Sequence, residues 1–131
     1  MTVLYTDGGC FGNQFADLSR RDMRGVVTSE HGTVLKEFQA PGGSNNIAEL
    51  RAVLLALQWC VDHDVPEVEI RTDSMNNFAW AMGKKPGKAI NDRSAVLGLQ
   101  AEIGALPVVF KLVWVPRDEN VAGCYLEQQT T

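Results

Sequence analysis

The chain has 131 residues, a formal net charge of −4 and 45% hydrophobic residues. This size fits one domain with its own core, and the hydrophobic content excludes a disordered chain. No apolar run approaches the roughly 18 residues of a membrane span, and the first residues lack a signal-peptide pattern, so we predict a cytoplasmic protein. The negative charge argues against a generic basic nucleic-acid binder, although net charge says little about any one face.

The cysteine pattern argues against a zinc site and against a disulfide-rich protein. The three cysteines, Cys10, Cys60 and Cys124, show no CxxC spacing. Neither a zinc site nor a secreted disulfide framework is therefore expected. We expect buried, reduced thiols, and a Cys60–Cys124 pair stays open because sequence gives no distances.

The N-terminal third of the chain predicts three strands. "VLYTD" (3–7) is a short apolar run that ends on an acid, and its alternate side chains share one face. "GGCFGN" (8–13) is rich in glycine and is predicted as a loop. Two further runs, 24–30 and 33–41, flank His31-Gly32, which predicts a hairpin with a two-residue turn.

A long helix follows the loop at 41–46. Ser44, Asn45 or Asn46 can cap it, and Glu49 lies in or near its first turn. Apolar residues recur along it at three- and four-residue spacing, which is typical of an amphipathic helix. These residues are Ile47, Leu50, Val53, Leu54, Leu57 and Val61.

The second half of the chain alternates strands and helices. "EVEIRTD" (67–73) has the alternation of a strand and ends on an acid. Strand–helix–strand units imply parallel pairing with right-handed crossovers, so we predict an α/β fold with a mixed sheet. The other predicted elements are a short helix that leads into a loop (74–88), a helix (91–106), a strand (108–116) and a loop with room for a short terminal helix (117–131).

Three acidic residues lie at predicted strand ends or near a helix start, where α/β folds form their functional sites. Asp7 and Asp73 each close a predicted strand, and sites form at the carboxyl ends of strands in open α/β sheets. If these strands are parallel neighbours, the two acids come together, and Glu49 is a third acid on the first turn of a packed helix. Taken singly, each Asp is more commonly a turn or cap residue. Three carboxylates at close range need a compensating cation, and oxygen ligands suit Mg²⁺ or Mn²⁺.

Five segments resemble the ribonuclease H type 1 family. Any one of them is a weak signal, but their order and spacing match over nearly the whole chain. The resemblance implies an RNase H-like fold, which is α/β with a five-stranded mixed sheet flanked by helices; the first three strands are antiparallel and the later ones parallel. It also implies one catalytic domain over 1–131 without a separate hybrid-binding domain. The segments are "YTDGGCFGN" (5–13), "SNNIAELRAVLLAL" (44–57), "RTDSMNN" (71–77), the "W..GK" run in "WAMGKKPGKAIND" (80–92) and "WVPRDEN" (114–120).

The resemblance further implies an activity. Enzymes of this family hydrolyse the RNA strand of RNA–DNA hybrids at internal phosphodiesters with two divalent ions, and leave 5′-phosphate and 3′-hydroxyl ends. Carried over by motif, Asp7 bridges both ions, Glu49 holds one ion near the RNA 2′-hydroxyl, and Asp73 completes the shared core. The expected cofactors are two Mg²⁺ or Mn²⁺ ions, and the expected partner is an RNA–DNA hybrid. We expect a monomer with no obligatory protein partner and no membrane association.

The family's fourth acid, which stands in a C-terminal stretch like N-x-x-A-D-x-L, is missing. The segment here reads "NVAGCYLE" (120–127), which places Cys124 at the acid. Thiol sulfur is a poor Mg²⁺ ligand, and Asp118 and Glu119 lie in a loop of uncertain aim. Ligand chemistry favours the carbonyl oxygen of Asn120 as the fourth catalytic ligand. The alternative is that Asn120 only caps a short helix.

Histidine is a second departure from the family. Many members carry a His before the last acid, where it helps product leave, and "WVPRDEN" has none. His31 and His63 are poorly placed for that role, and Arg117 or Glu119 is a weak candidate.

The resemblance also implies substrate contacts. Short polar side chains and backbone groups read the minor groove of a hybrid, and lysines meet its phosphates. The asparagines could instead be loop caps, Trp80 could belong to the core, and the lysines could be a solvated loop. The implied contacts are Cys10, Gly12, Asn13, Ser44, Asn45, Asn46, Met75, Trp80, Lys84, Lys85 and Lys88.

The missing acid leaves a second function open. The chain is predicted to be an active hybrid-cutting nuclease, and the alternative is a catalytically weak or inactive hybrid-binding module of the same fold. A resolvase or transposase fragment is disfavoured, because "SNNIAEL" and the Lys-rich segment match the hybrid-cutting enzymes.

Overall fold

The structure, a computed structural model, describes residues 1–11, 22–87 and 93–130. Its strands are β1 (Thr2–Phe11), β2 (Asp22–Ser29), β3 (Val34–Pro41), β4 (Glu67–Thr72) and β5 (Val109–Trp114). Its helices are α1 (Asn45–Asp62), α2 (Met75–Ala81), α3 (Arg93–Ala105) and α4 (Val121–Thr130), with a 3₁₀ helix at Arg117–Glu119.

The five strands form one mixed sheet in the order β3-β2-β1-β4-β5. β1, β2 and β3 pair antiparallel, whereas β4 pairs parallel with both β1 and β5. This architecture confirms the predicted α/β class and the predicted strand directions. Within the described ranges, no helix is long and apolar enough to cross a membrane.

β1 is longer than predicted. The glycine-rich segment 8–13 was expected to be a loop, yet β1 runs on to Phe11 and pairs with β2 there. Gly8 is needed for another reason: a Cβ on Gly8 would lie 2.4 Å from the carbonyl carbon of Ala48 in α1. The glycine therefore lets helix and strand approach closely instead of making a turn.

The hairpin between β2 and β3 is confirmed, but its loop is one residue longer than predicted. The Ser29 N–H donates to the Thr33 carbonyl at 2.9 Å, and the Gly32 N–H donates to the Ser29 carbonyl at 3.1 Å. Glu30 and His31 form the turn, and Gly32 follows with φ of 90°. Only glycine adopts that backbone without cost. Gly32 is therefore the last residue of the loop, and not the second central residue of a two-residue turn as predicted.

Two apolar clusters cover the two faces of the sheet. The larger one lies under α1 and contains five of its six predicted apolar positions, Val61 being exposed. The smaller one contains Tyr5, Val26, Ala122 and Leu126 and lies under α4. The short terminal helix therefore packs on the sheet and places its first turn beside β1.

The cysteines form no pair. None of the three forms a disulfide, and Cys10 and Cys60 are buried while Cys124 is exposed. The open Cys60–Cys124 pairing is thereby excluded, and the expectation of buried thiols is wrong for Cys124, because α4 turns that side chain toward solvent.

Candidate active site

The three predicted acids meet at one point. Oxygen atoms of Asp7, Glu49 and Asp73 all lie within 4.8 Å of one another. Asp73 directly follows β4, as predicted. Asp7, however, lies inside β1 and not at its end. Glu49 is the fifth residue of α1 and so lies next to its first turn, as predicted. Because β1 continues with β2 beyond its pairing with β4, Asp7 still faces the end of β4.

Burial makes the charged forms of these acids costly. Burial, followed by the charges of Asp73 and Glu49, raises the pKa of Asp7 to about 7. Burial also raises the pKa of Glu49 to about 7, against a hydrogen bond from Ser74 that lowers it. Arg117 lowers both pKa values without cancelling the rise. The cluster therefore needs more positive charge than the chain itself supplies to stay ionised at neutral pH.

The donor atoms fit a hard divalent cation. Asp7 is only 4% exposed, and its Oδ1 is buried with no hydrogen-bond partner among the described residues. A buried carboxylate oxygen without a donor is costly unless a ligand satisfies it. Since the converging atoms are all carboxylate oxygens, Mg²⁺ or Mn²⁺ is the type of ion that they would hold.

Asn120 lies in the site, but its amide nitrogen, and not the predicted carbonyl oxygen, faces the acids. It is fully buried, and its Nδ2 donates to the Thr6 carbonyl and to Asp73 Oδ2, both at 3.0 Å. Its Oδ1 accepts from the Gly123 N–H at 3.2 Å, which caps α4. A flipped amide would set oxygen against the Thr6 carbonyl. The predicted metal ligation through Oδ1 is therefore not what this orientation provides; Asn120 holds Asp73 by a hydrogen bond.

Arg117 lies beside the acids, although the sequence marked it only as a weak candidate for a role in product release. It begins the 3₁₀ helix after β5, and its Nη1 lies 4.0 Å from Asp73 Oδ2. Its Nε donates to Glu127 Oε1 of α4 at 3.0 Å. A single arginine in a loop carries no spacing signal; its only hint was its place after a strand that neighbours β4.

A cavity of about 270 Å³ lies beside two of the three acids. Asp7, Glu49 and Arg117 are among its lining residues. The Cys10 N–H donates to Asn45 Oδ1 at 2.6 Å, which ties the end of β1 to the start of α1. The cavity thus joins the acids to two of the predicted substrate contacts.

Comparison with known proteins agrees with this architecture. A family model described as RNase H matches residues 1–106. The chain belongs to the RNase H family. The N-terminal RNase H domain of Rv2228c from Mycobacterium tuberculosis is 26% identical over 95% of this chain and 94% of that one, with a TM-score of 0.67.

Two other solved structures share the fold. RNase H1 from the archaeon Halobacterium salinarum NRC-1 is 22% identical over 95% of this chain and 92% of its own, with a TM-score of 0.67. LC11-RNase H1, solved in complex with an RNA/DNA hybrid, is 23% identical over the full length of both chains, with a TM-score of 0.65. A search of curated proteins gave no significant match.

The C-terminal end of the chain lies outside the family match. The family match stops at residue 106, before Arg117 and Asn120. Cys124, which the resemblance places at the family's fourth acid, is exposed, and Asp118 and Glu119 are exposed as well. Gly123 faces the site instead, since a Cβ there would lie 3.5 Å from Asp7 Oδ2.

The other predicted substrate contacts of the chain divide into four groups. Ser44 caps α1, with its Oγ accepting from the Ile47 N–H at 3.3 Å. Trp80 is 8% exposed and belongs to the core, as the alternative interpretation held. Met75, Lys84 and Lys85 are exposed and Asn46 is half-buried. Their substrate roles stay predictions, and Gly12, Asn13 and Lys88 lie outside the described residues.

Proposed function

We propose that this protein is an endoribonuclease that hydrolyses the RNA strand of RNA–DNA hybrids with divalent metal ions and leaves 5′-phosphate and 3′-hydroxyl ends. The observation that carries the proposal is the convergence of Asp7, Glu49 and Asp73 within 4.8 Å in a chain of the RNase H family. LC11-RNase H1, which has the same fold, binds an RNA/DNA hybrid in its crystal structure, and this likeness supports the choice of substrate.

The chain's residues hold and align the reacting groups. A bound divalent ion lowers the pKa of a water molecule and stabilises charge on a phosphate oxygen. Asp7, fixed inside β1, and Asp73, fixed by Asn120, set the position of the carboxylates, while α1 carries Glu49 against them. Rigid elements suit this task because small displacements of ligands lower activity strongly.

Substrate recognition is proposed to use the rim of the cavity. Cys10 and Asn45 lie beside the acids, where a hybrid's minor groove would present 2′-hydroxyl groups. Lys84 and Lys85 follow α2 and supply charge for phosphates. We further propose that the protein acts as a cytoplasmic monomer.

A cleavage assay tests the proposed activity. The protein is incubated with a hybrid labelled on its RNA strand, with Mn²⁺, with Mg²⁺ and with EDTA, beside duplex DNA and duplex RNA. We expect internal cuts in the hybrid only, and only with a divalent ion. Asp7→Asn should abolish cutting, whereas Asp118→Asn, which removes an exposed acid outside the cluster, should not.

The second candidate function is a hybrid-binding module with weak or no catalysis. It is favoured by Cys124, which the resemblance places at the fourth acid and which is exposed. Hybrid binding without any cleavage in Mn²⁺ or Mg²⁺ would establish that function and overturn the first.

A further inference from the structure

Asp73 lies in the turn between β4 and α2, just beyond the strand pairing that fixes β4. The register of β4 with β5 ends at the pair Thr72 and Trp114. The Asp73 carboxylate accepts from Asn120 Nδ2 at 3.0 Å, and its backbone carbonyl accepts from Trp114 Nε1 at 3.2 Å. One side chain therefore holds the carboxylate of this acid, and a second side chain holds its main chain.

Trp114 contributes little to the core. It ends β5, its side chain is 48% exposed, and it belongs to neither of the two apolar clusters of the described residues. A tryptophan in this position leaves unused much of the free energy that full burial of its ring would supply. Its indole N–H can only donate a hydrogen bond, and it donates to Asp73. The contact of this side chain that bears on the site is thus its hydrogen bond.

The backbone next to Trp114 holds the same turn. The Val115 N–H donates to the Thr72 carbonyl at 2.9 Å, so β5 binds two successive carbonyls of the turn. Ser74, the next residue of the turn, forms a side-chain hydrogen bond with Glu49 of α1. Since the turn lies between β5 and α1, a shift of its main chain would displace two of the three acids.

We propose that Trp114 is a positioning residue of the active site, whose indole N–H fixes the main chain of Asp73 and so keeps its carboxylate aligned with the other two acids. The inference rests on the proposed function, because this alignment matters for metal binding and cleavage. Groups that orient a metal ligand contribute to metal affinity and activity although they touch neither metal nor substrate.

Trp114→Phe tests the proposal, because phenylalanine keeps an aromatic ring and has no N–H. We expect its Mg²⁺ affinity and its kcat for hybrid cleavage to fall about three- to tenfold, which is the range of one hydrogen bond. The KM for the hybrid and the midpoint of urea unfolding should change little. A raised KM with wild-type kcat would show that the ring contacts substrate, and would overturn the proposal.

Trp59→Phe is the matched control. Trp59 lies near the C-terminal end of α1, packs against the larger apolar cluster and stacks on His63. Its replacement should lower the midpoint of urea unfolding and leave Mg²⁺ affinity and kcat unchanged, which is the opposite pattern. If Trp114→Phe gave the same pattern as Trp59→Phe, the role of Trp114 would be structural only and the proposal wrong.

An isostere at position 114 isolates the hydrogen bond from the shape of the ring. Benzothienylalanine keeps the bicyclic ring and carries sulfur where the indole has its N–H. The protein with this residue at position 114 should match Trp114→Phe in Mg²⁺ affinity and kcat. A return to wild-type values would show that the ring alone is needed, and would overturn the proposal.

Hydrogen exchange of the indole N–H groups tests the contact without metal or catalysis. The chain has three tryptophans, and the ¹⁵N–H signal that is lost in Trp114→Phe belongs to Trp114. Although the ring is half-exposed, we expect this N–H to exchange about tenfold more slowly than that of free indole, because it is hydrogen-bonded. Exchange at the rate of free indole would show that the hydrogen bond is absent in solution.

The proposed activity and this inference fail separately. If wild type binds Mg²⁺ and cuts no hybrid, the proposed activity is wrong, and the Mg²⁺ affinities of Trp114→Phe and Trp59→Phe still decide the role of Trp114. Wild type that bound no Mg²⁺ would contradict both. If wild type cuts hybrid and Trp114→Phe equals it in Mg²⁺ affinity and kcat, only the role of Trp114 is wrong.

Discussion

Asp7 and Asp73 each lie two residues beyond the same register pair, Tyr5 with Arg71, at the end of the parallel ladder between β1 and β4. Equal offsets on neighbouring parallel strands set two side chains side by side on the same face. The pairing of the acids thus follows from strand register, with Asp73 as the first residue after β4. Glu49 reaches them because Gly8 admits α1 so closely.

The raised pKa of Asp7 predicts how the metal-free protein responds to pH. The folded protein binds the Asp7 proton more tightly than the unfolded chain does. The stability linked to it is therefore present below 3.8 and is lost as pH rises to about 7. Compared with Asp7→Asn in EDTA, wild type should lose free energy of unfolding across this range, on the order of a few kcal/mol.

Urea unfolding of both proteins at several pH values measures this difference. Addition of Mn²⁺ at about pH 8 should raise the Tm of wild type more than that of Asp7→Asn, because an ion that binds only the folded state stabilises it. Parallel pH profiles for the two proteins in EDTA would contradict the buried, proton-binding state of Asp7.

Gly8→Ala should separate helix from strand. The added Cβ would lie 2.4 to 2.6 Å from backbone atoms of Ala48 and Glu49, and backbone cannot move aside as a side chain can. We expect a loss of about 2–4 kcal/mol in the free energy of unfolding, together with weaker Mn²⁺ binding because Glu49 moves away from Asp7.

Gly98→Ala is the matched control for this change. Gly98 lies in α3, and a Cβ added there would have no atom within 4 Å among the described residues. Alanine there should stabilise the protein by about 0.5–1 kcal/mol. If both variants shifted stability equally, the close approach at Gly8 would not matter. Thermal unfolding followed by circular dichroism gives both values.

Lys84 and Lys85 should act on the hybrid through charge alone. Gln100 Nε2 donates to the carbonyls of Trp80 and Lys84 at 3.0 and 2.7 Å, which fixes this segment against α3. Lys84→Ala combined with Lys85→Ala should weaken hybrid binding for every sequence and lower its salt slope by about 2. Fluorescence anisotropy at several salt concentrations measures the change, with Lys111→Ala, which removes an exposed cation from β5, as control. An unaltered salt slope would show that neither lysine contacts a phosphate of the hybrid.

Alternation and helical spacing predicted most of the fold, because both report which side chains face the core. The spacing of α1 and the alternation of β4 are examples. The loop predicted for residues 8–11 was wrong because glycine occurs both in turns and where backbones pack closely. Only a neighbour in the folded structure distinguishes the two cases. At Gly8 that neighbour is Ala48, which is far away in sequence.

The acids of the site were predictable and its cations were not. Carboxylates at strand ends follow a rule of topology, whereas the aim of Arg117 depends on Glu127 in a helix that sequence barely indicated. The orientation of Asn120 is likewise set by backbone groups of Thr6 and Gly123. Ligand chemistry alone therefore favoured its oxygen, and the structure presents its nitrogen.

Asn120→Ala tests whether that residue acts on stability, on the site, or on both. The change removes three hydrogen bonds of a fully buried side chain and leaves the Thr6 carbonyl and the Gly123 N–H unpaired. We expect a loss of about 2–3 kcal/mol in the free energy of unfolding from the lost cap and the unpaired groups. Cleavage below the melting range should fall as well, because Asp73 loses its fixed position.

Cys124→Ala, an exposed change in the same helix, should alter stability by less than about 0.5 kcal/mol and leave cleavage intact. Urea unfolding and hybrid cleavage measured on the same preparations separate the effect on stability from the effect on the site. Wild-type stability in Asn120→Ala would show that its hydrogen bonds do not stabilise the fold.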